Sequence, residues 1–148
     1  MKFEKAKLEH GKKLFDWRND PETRANSFAG EPVAWEGHIA WLQRTLENPK
    51  RHLLISKDDV GNSIGTVRFD LLDNSSYEIS WTVAPEWRGK GAGKEMIADA
   101  LTLPFLSGKK IKALIKSDNK ASQHIAEATH FSLHTEKDGV TEWWNEMS

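Results

Sequence analysis

The stretch Arg88-Gly89-Lys90-Gly91-Ala92-Gly93-Lys94 has the residue types of an anion site. Glycine lets a backbone approach a phosphate closely, and successive N–H groups can form a positive concavity. A strand pattern precedes this stretch and a helix pattern follows it. The glycines therefore fall where the first turn of a helix offers unpaired N–H groups and the positive end of its dipole. Arg88, Lys90 and Lys94 add charge. An ATP-type loop needs Gly, four residues, then Gly-Lys-Ser/Thr; here Arg88 stands in the first position and Glu95 follows Lys94. A dinucleotide fingerprint needs G-x-G-x-x-G, whereas Gly89, Gly91 and Gly93 give G-x-G-x-G.

A second kind of chemistry is carried by Glu78, on the strand that leads into this loop. Its carboxylate could act as a general base on a bound molecule, a task worth about 10²–10⁴-fold in rate. A solvated strand residue, or one ion-paired to Arg68, is the plainer alternative. His130 and His134 are four apart, but across a predicted helix–strand junction with no third ligand nearby, so no metal site is expected. No cysteine is present, which excludes disulfides, thiolate metal sites and a cysteine nucleophile. No Ser-His-Asp constellation stands out.

The elements that must position these groups can be read from periodicity. Tyr77–Val83 alternates, with Tyr77, Ile79, Trp81 and Val83 on one face and Glu78, Ser80 and Thr82 on the other. Pro85 ends it. After the loop, Met96, Ile97, Ala100 and Leu101 form one helical stripe up to Pro104. Upstream, 3–7 reads as an edge strand, 9–18 as a helix with Leu14 and Phe15 inward, and 35–46 as a helix with Trp35, Ile39, Leu42 and Leu46 inward. Asn19-Asp20-Pro21 stops the first helix, and 20–33 reads as a polar loop. Strands at 52–57 and 64–71 are joined by short turns, which imply antiparallel pairing. Downstream follow a strand at 111–116, a helix at 121–129, and strands at 131–136 and 140–145. The order is β-α-α-β-β-β-loop-α-β-α-β-β.

Arg88-x-x-Gly91-x-Gly93, behind a strand ending Thr82-Val83-Ala84-Pro85, resembles the pyrophosphate loop of the GNAT superfamily, the Gcn5-related N-acetyltransferases. Asn119-x-x-Ser122 followed by Phe131 is similar to that family's second cofactor segment, and the element order extends the likeness over nearly the whole chain. The resemblance implies an α+β fold: a mixed, mostly antiparallel sheet with one splayed parallel strand pair, 77–83 beside 111–116, and flanking helices. It implies acetyl-CoA as co-substrate, with no metal. Thr82, Val83, Arg88, Gly89, Lys90, Gly91, Ala92, Gly93, Lys94, Asn119 and Ser122 would bind it, Thr82 and Val83 through backbone groups along the pantetheine. Glu78 would be the base in a direct ternary-complex transfer. Where the family often has a tyrosine acid, this sequence has Ala126. The segment between the first two helices, with Arg18, Arg24, Trp35 and His38, resembles the branch that acetylates ribosomal-protein N-termini and nucleotide-linked amino sugars. A nucleotide-linked amino sugar is the acceptor this implies, with a peptide N-terminus, a polyamine or a non-catalytic CoA-binding module as alternatives.

Bulk properties fit this reading. The 148 residues suit a single domain, 1–148. A net charge of -1 argues against a nucleic-acid partner. The opening Met1–Lys7 is charged and has no apolar run, so no secretory signal is expected. No run approaches the roughly 18 apolar residues of a membrane span, so a cytoplasmic protein is expected. The seven Trp divide between core and pocket lining. Oligomeric state stays open, a homodimer included.

Overall fold

The computed structural model describes residues 1–146. The chain runs β1 (Lys2–Lys5), α1 (Gly11–Asn19), α2 (Pro21–Asn26), α3 (Trp35–Glu47), β2 (Arg51–Lys57), β3 (Ser63–Leu71) and β4 (Tyr77–Val83), with 3-10 turns between some elements. Then follow α4 (Ala92–Ala100), β5 (Lys110–Lys116), α5 (Lys120–Ala128), β6 (Ser132–Lys137) and β7 (Val140–Glu146). The seven strands form one sheet in the order β1-β2-β3-β4-β5-β7-β6. Every neighbouring pair is antiparallel except β4 and β5. The expected mixed sheet with one parallel pair and flanking helices is therefore present.

Strand alternation sorts the two faces. Val67, Phe69, Tyr77 and Ile79 pack with Met96, Ile97, Ile111 and Ala113 in the larger core, beneath α4 and α5. Leu53 and Ile55 face the other way and bury Leu14, Trp17 and Leu42 of α1 and α3. Arg68, the register partner of Leu53, and Ser80, the register partner of Arg68, share that second face.

Two local expectations need correction. The polar loop at 20–33 contains a helix, α2. Asn19-Asp20-Pro21 ends α1 and also starts α2, because the Asp20 side chain accepts from the Thr23 N–H and Pro21 occupies the first turn. Of the expected inward stripe of α3, Leu42 is buried and Leu46 packs on the same core, but His38 and Thr45 are buried as well and Trp35 is 43% exposed. At the start of the helix a histidine is buried where an indole was expected.

The parallel pairing of β4 with β5 covers only Tyr77–Ile79 against Ile111–Ala113. Beyond Ile79 the two strands part, while β4 stays paired to β3 as far as Val83. This fork opens toward the glycine loop. Gly65 on β3 supports it: a Cβ there would lie 2.1 Å from the Thr82 carbonyl oxygen and 3.2 Å from Met96 Sδ, so only glycine allows β3 and β4 this approach.

Candidate active site

The three glycines of the loop do different work. Gly89 and Gly91 have φ of +73° and +76°, and a Cβ at either would meet nothing within 4 Å. They shape a left-handed, open turn. Gly91 is the N-cap of α4 and has no side chain to satisfy the helix's first N–H groups, which stay available to an anion. Gly93 is buried. A Cβ there would lie 2.7 Å from Ile125 Cδ1 and 3.1 Å from Val83 Cγ2, so it closes the packing of α4 between β4 and α5. Ala92 is buried beside it. Lys90 and Lys94 are exposed, and among the described residues neither has an acidic partner; Lys90 Nζ lies 5.4 Å over the Trp87 ring.

Arg88 is placed differently from the other loop cations. Its Nη1 lies 2.8 Å from both Asp20 Oδ2 and Glu22 Oε2, and its Nη2 donates to Thr23 Oγ1 at 2.8 Å. The guanidinium holds the N-terminus of α2. At the other end of α2, Lys116 Nζ at the end of β5 donates to the Ala25 carbonyl at 3.0 Å. The short helix thus runs between the glycine loop and the end of β5, with a cation fixing each of its ends. Burial pushes the Asp20 carboxyl upward, but the Thr23 N–H and Arg88 bonds outweigh this and hold it below the usual carboxylate range.

Along the fork, the backbone of Thr82 and Val83 lies past the last β4–β5 pair. Two polar atoms at this end are buried without a partner, Trp81 Nε1 and Ser117 Oγ. An unpaired buried donor is costly, and a chain of amides laid in the fork would satisfy it. These atoms, the open loop glycines and the free lysines fit a pantetheine arm ending in a pyrophosphate. Asn119 commits its Oδ1 to the N–H of Ser122 as the cap of α5, so the two residues are coupled.

On the face toward α1 and α3, Ser80 is exposed, and Glu78 lies two residues before it, roughly 7 Å along the strand. Glu78 Oε1 is 3.8 Å from Lys112 Nζ on β5. Arg68, the partner considered from sequence, instead pairs with Asp70, which Arg51 also approaches. Above this floor His38 is fully buried among Phe15, Trp35 and Trp41. Its Nε2 is 2.9 Å from the Gly11 carbonyl and its Nδ1 3.0 Å from Arg18 Nη1. His38, expected in the acceptor pocket, has no exposed surface and reaches the site face only through Arg18. Arg24 is half-buried, with its Nε unpartnered. Trp41, expected in the acceptor pocket, lies beside His38 and Arg18, whereas Trp81 and Ser117 at the open end of the fork were not singled out from sequence. The placement of Trp81 and Ser117 depends on strands that diverge, which no local pattern announces.

Among the described residues no helix is long and apolar enough to cross a membrane, and no cluster of His, Asp and Glu could hold a metal ion.

Residues 1–132 match the family described as "Acetyltransferase (GNAT) domain". A Bacillus subtilis (strain 168) protein named "Putative phosphinothricin acetyltransferase YwnH" is 29% identical over 119 residues, 76% of this chain. The match spans 66% of that relative, just under two thirds of its length. Among solved structures, spermidine N-acetyltransferase from Vibrio cholerae in complex with CoA and spermine superposes with a TM-score of 0.84 at 18% identity, covering 99% of this chain and 95% of that one. The structure of yncA from Salmonella typhimurium with its cofactor acetyl-CoA gives 0.78 at 20% identity, covering 100% and 94%.

Proposed function

The chain belongs to the GNAT acetyltransferase domain family, and from that premise we propose that it transfers an acetyl group from acetyl-CoA to the primary amine of a small polar acceptor in a ternary complex. One observation carries the reading. The open glycine turn at the α4 N-terminus leads into the fork between β4 and β5, and the fork backs onto a polar sheet face that holds Glu78 and Ser80.

Acetyl-CoA supplies the thioester. The loop N–H groups, Lys90 and Lys94 bind its pyrophosphate, and Ala92 and Gly93 hold the helix start in place beneath them. Backbone groups of Thr82 and Val83 and the Trp81 indole N–H line the arm, and the capped Asn119–Ser122 turn bounds it. Arg88, Asp20 and Lys116 set the helix that covers the strand ends.

The acceptor amine enters from the α1–α3 side. A lysine-like amine is protonated at neutral pH, and freeing it costs about 4.6 kcal/mol. Glu78, 3.8 Å from Lys112 Nζ, takes that proton through water. The amine nitrogen then bonds to the acyl carbon and gives up its second proton to water, the carbon–sulfur bond breaks, and the thiolate takes a proton from solvent. The single tyrosine, Tyr77, is buried against His52, Phe69 and Phe105 and is not placed to serve as acid.

The names of the relatives point to spermidine or phosphinothricin as acceptors. None points to a nucleotide-linked amino sugar, so that expectation has no support. Thiol release from acetyl-CoA in the presence of an amine panel tests the proposal. Amine-dependent release supports it. CoA binding by calorimetry with no release from any amine would leave the non-catalytic module as the better description.

A further inference from the structure

We infer that the guanidinium of Arg18, held by His38 and Trp41, is an anion-recognition group, and that the acceptor amine carries a carboxylate or phosphinate on the same small molecule. The inference rests on the acetyl-transfer reading and gives it a substrate class.

The geometry starts at Gly11. Its carbonyl oxygen can only accept, so the His38 nitrogen 2.9 Å away, Nε2, carries the ring hydrogen. Nδ1 is then a bare acceptor and takes a hydrogen bond from Arg18 Nη1 at 3.0 Å. Burial first, then the Arg18 charge, holds the imidazole below its ordinary pKa against the opposing Gly11 bond, so the ring is neutral. On its other side Arg18 stacks on Trp41, its Cζ 4.3 Å from the ring centre. Both contacts are to uncharged groups. Among the described residues no carboxylate lies within ion-pair distance of Arg18. A half-buried guanidinium fixed in place without a counter-ion is costly to keep. It makes sense as a fork prepared for an incoming anion, which it can bind in bidentate fashion.

The surroundings have the same sign. Arg68 lies close enough that its charge, added to burial, lowers the Arg18 pKa. On the sheet face below, Arg51 and Arg68 share Asp70, and Lys112 sits beside Glu78. Counting Arg18, cations outnumber carboxylates on this face. A polyamine would bring a second ammonium against this excess. An amino-acid-like molecule brings an acidic group to Arg18 and its amine toward Glu78 and Ser80.

The test is a panel in which amino acids are paired with their decarboxylated amines (leucine with isoamylamine, for example), beside phosphinothricin and spermidine. Thiol release is followed for wild type, Arg18→Met and Arg18→Lys, with CoA affinity as the check on folding. The expected result is at least a tenfold kcat/KM preference for the acid-bearing partner. Arg18→Met should erase that preference through KM, and Arg18→Lys should retain part of it. Preference for spermidine or the decarboxylated amines, unchanged in Arg18→Met, would overturn the inference and leave the transfer reading intact. No release from any amine would instead sink the transfer reading. Calorimetric titration of the CoA-bound protein with L-glutamate then judges the anion site directly: tenfold weaker binding to Arg18→Met supports it, and equal or absent binding overturns it.

Discussion

Replacing Gly91 with aspartate separates the phosphate role of the loop from its structural role. Gly91 has φ of +76°, and a Cβ there meets nothing within 4 Å. The cost to the fold is therefore conformational only, about 1–2 kcal/mol for an L-residue in the left-handed region. For a chain of this size that lowers Tm by roughly 2–8 °C. The cost to binding is larger. A carboxylate near 4 Å from a phosphate charge is worth about 4 kcal/mol of repulsion at a surface-like dielectric, before salt screening. Even about a third of that weakens CoA roughly tenfold. Gly61→Asp is the internal control. It lies in the β2–β3 turn with φ of +89° and open space around it, so it carries the same strain without a phosphate partner. Calorimetry and thermal melts on both variants should show similar losses of Tm and a CoA defect in Gly91→Asp alone. Equal CoA affinity in the two variants would refute the assignment of the loop.

Three further outcomes are expected. Glu78→Gln should keep CoA affinity but lower turnover by about 10²–10⁴-fold near neutral pH, with the defect shrinking as pH rises and free amine becomes abundant; a loss under about threefold at pH 7 means that another group takes the proton. Arg88→Ala should speed amide exchange across α2 and raise the acceptor KM while moving CoA affinity little, because its bonds run to Asp20, Glu22 and Thr23; a loss confined to CoA affinity would make Arg88 a phosphate ligand instead. His38 has a depressed pKa in the fold, through burial foremost, so between that value and about 6.5 the unfolded chain binds more protons and stability falls as pH drops. Melts of His38→Gln should lose part of this acid dependence, and His52, depressed by burial and Lys5, should supply the remainder.

What could be read from the sequence was the local chemistry. The glycine loop, the strand before it and the helix after it lie within a few dozen residues, and their periodicities do not compete. The alternation of Tyr77–Val83 separated the Glu78 face from the core face correctly. Partners that depend on strand order were not legible. Glu78 meets Lys112 because β5 returns beside β4, 34 residues later in the chain. Arg88 finds Asp20 across a separation of 68 residues. The first turn of α3 departs from its pattern because Trp35 outranks His38 in hydrophobicity. His38 is buried because Gly11 and Arg18 satisfy both its nitrogens, and neither partner is visible from the helix alone. Helix α2 was missed because Asn19-Asp20-Pro21 reads as a stop, although an Asp cap followed by Pro is also a start.

The central claim is that acetyl-CoA lies in the fork between β4 and β5 with its pyrophosphate on the glycine loop. Amide-resolved NMR of the protein titrated with CoA tests it most directly. The account predicts saturable shifts at Gly89, Gly91, Gly93, Thr82 and Val83, and at the Trp81 indole N–H, with Gly61 and Gly139 unmoved. Shifts centred elsewhere, or a loop that stays silent while CoA binds, would contradict it.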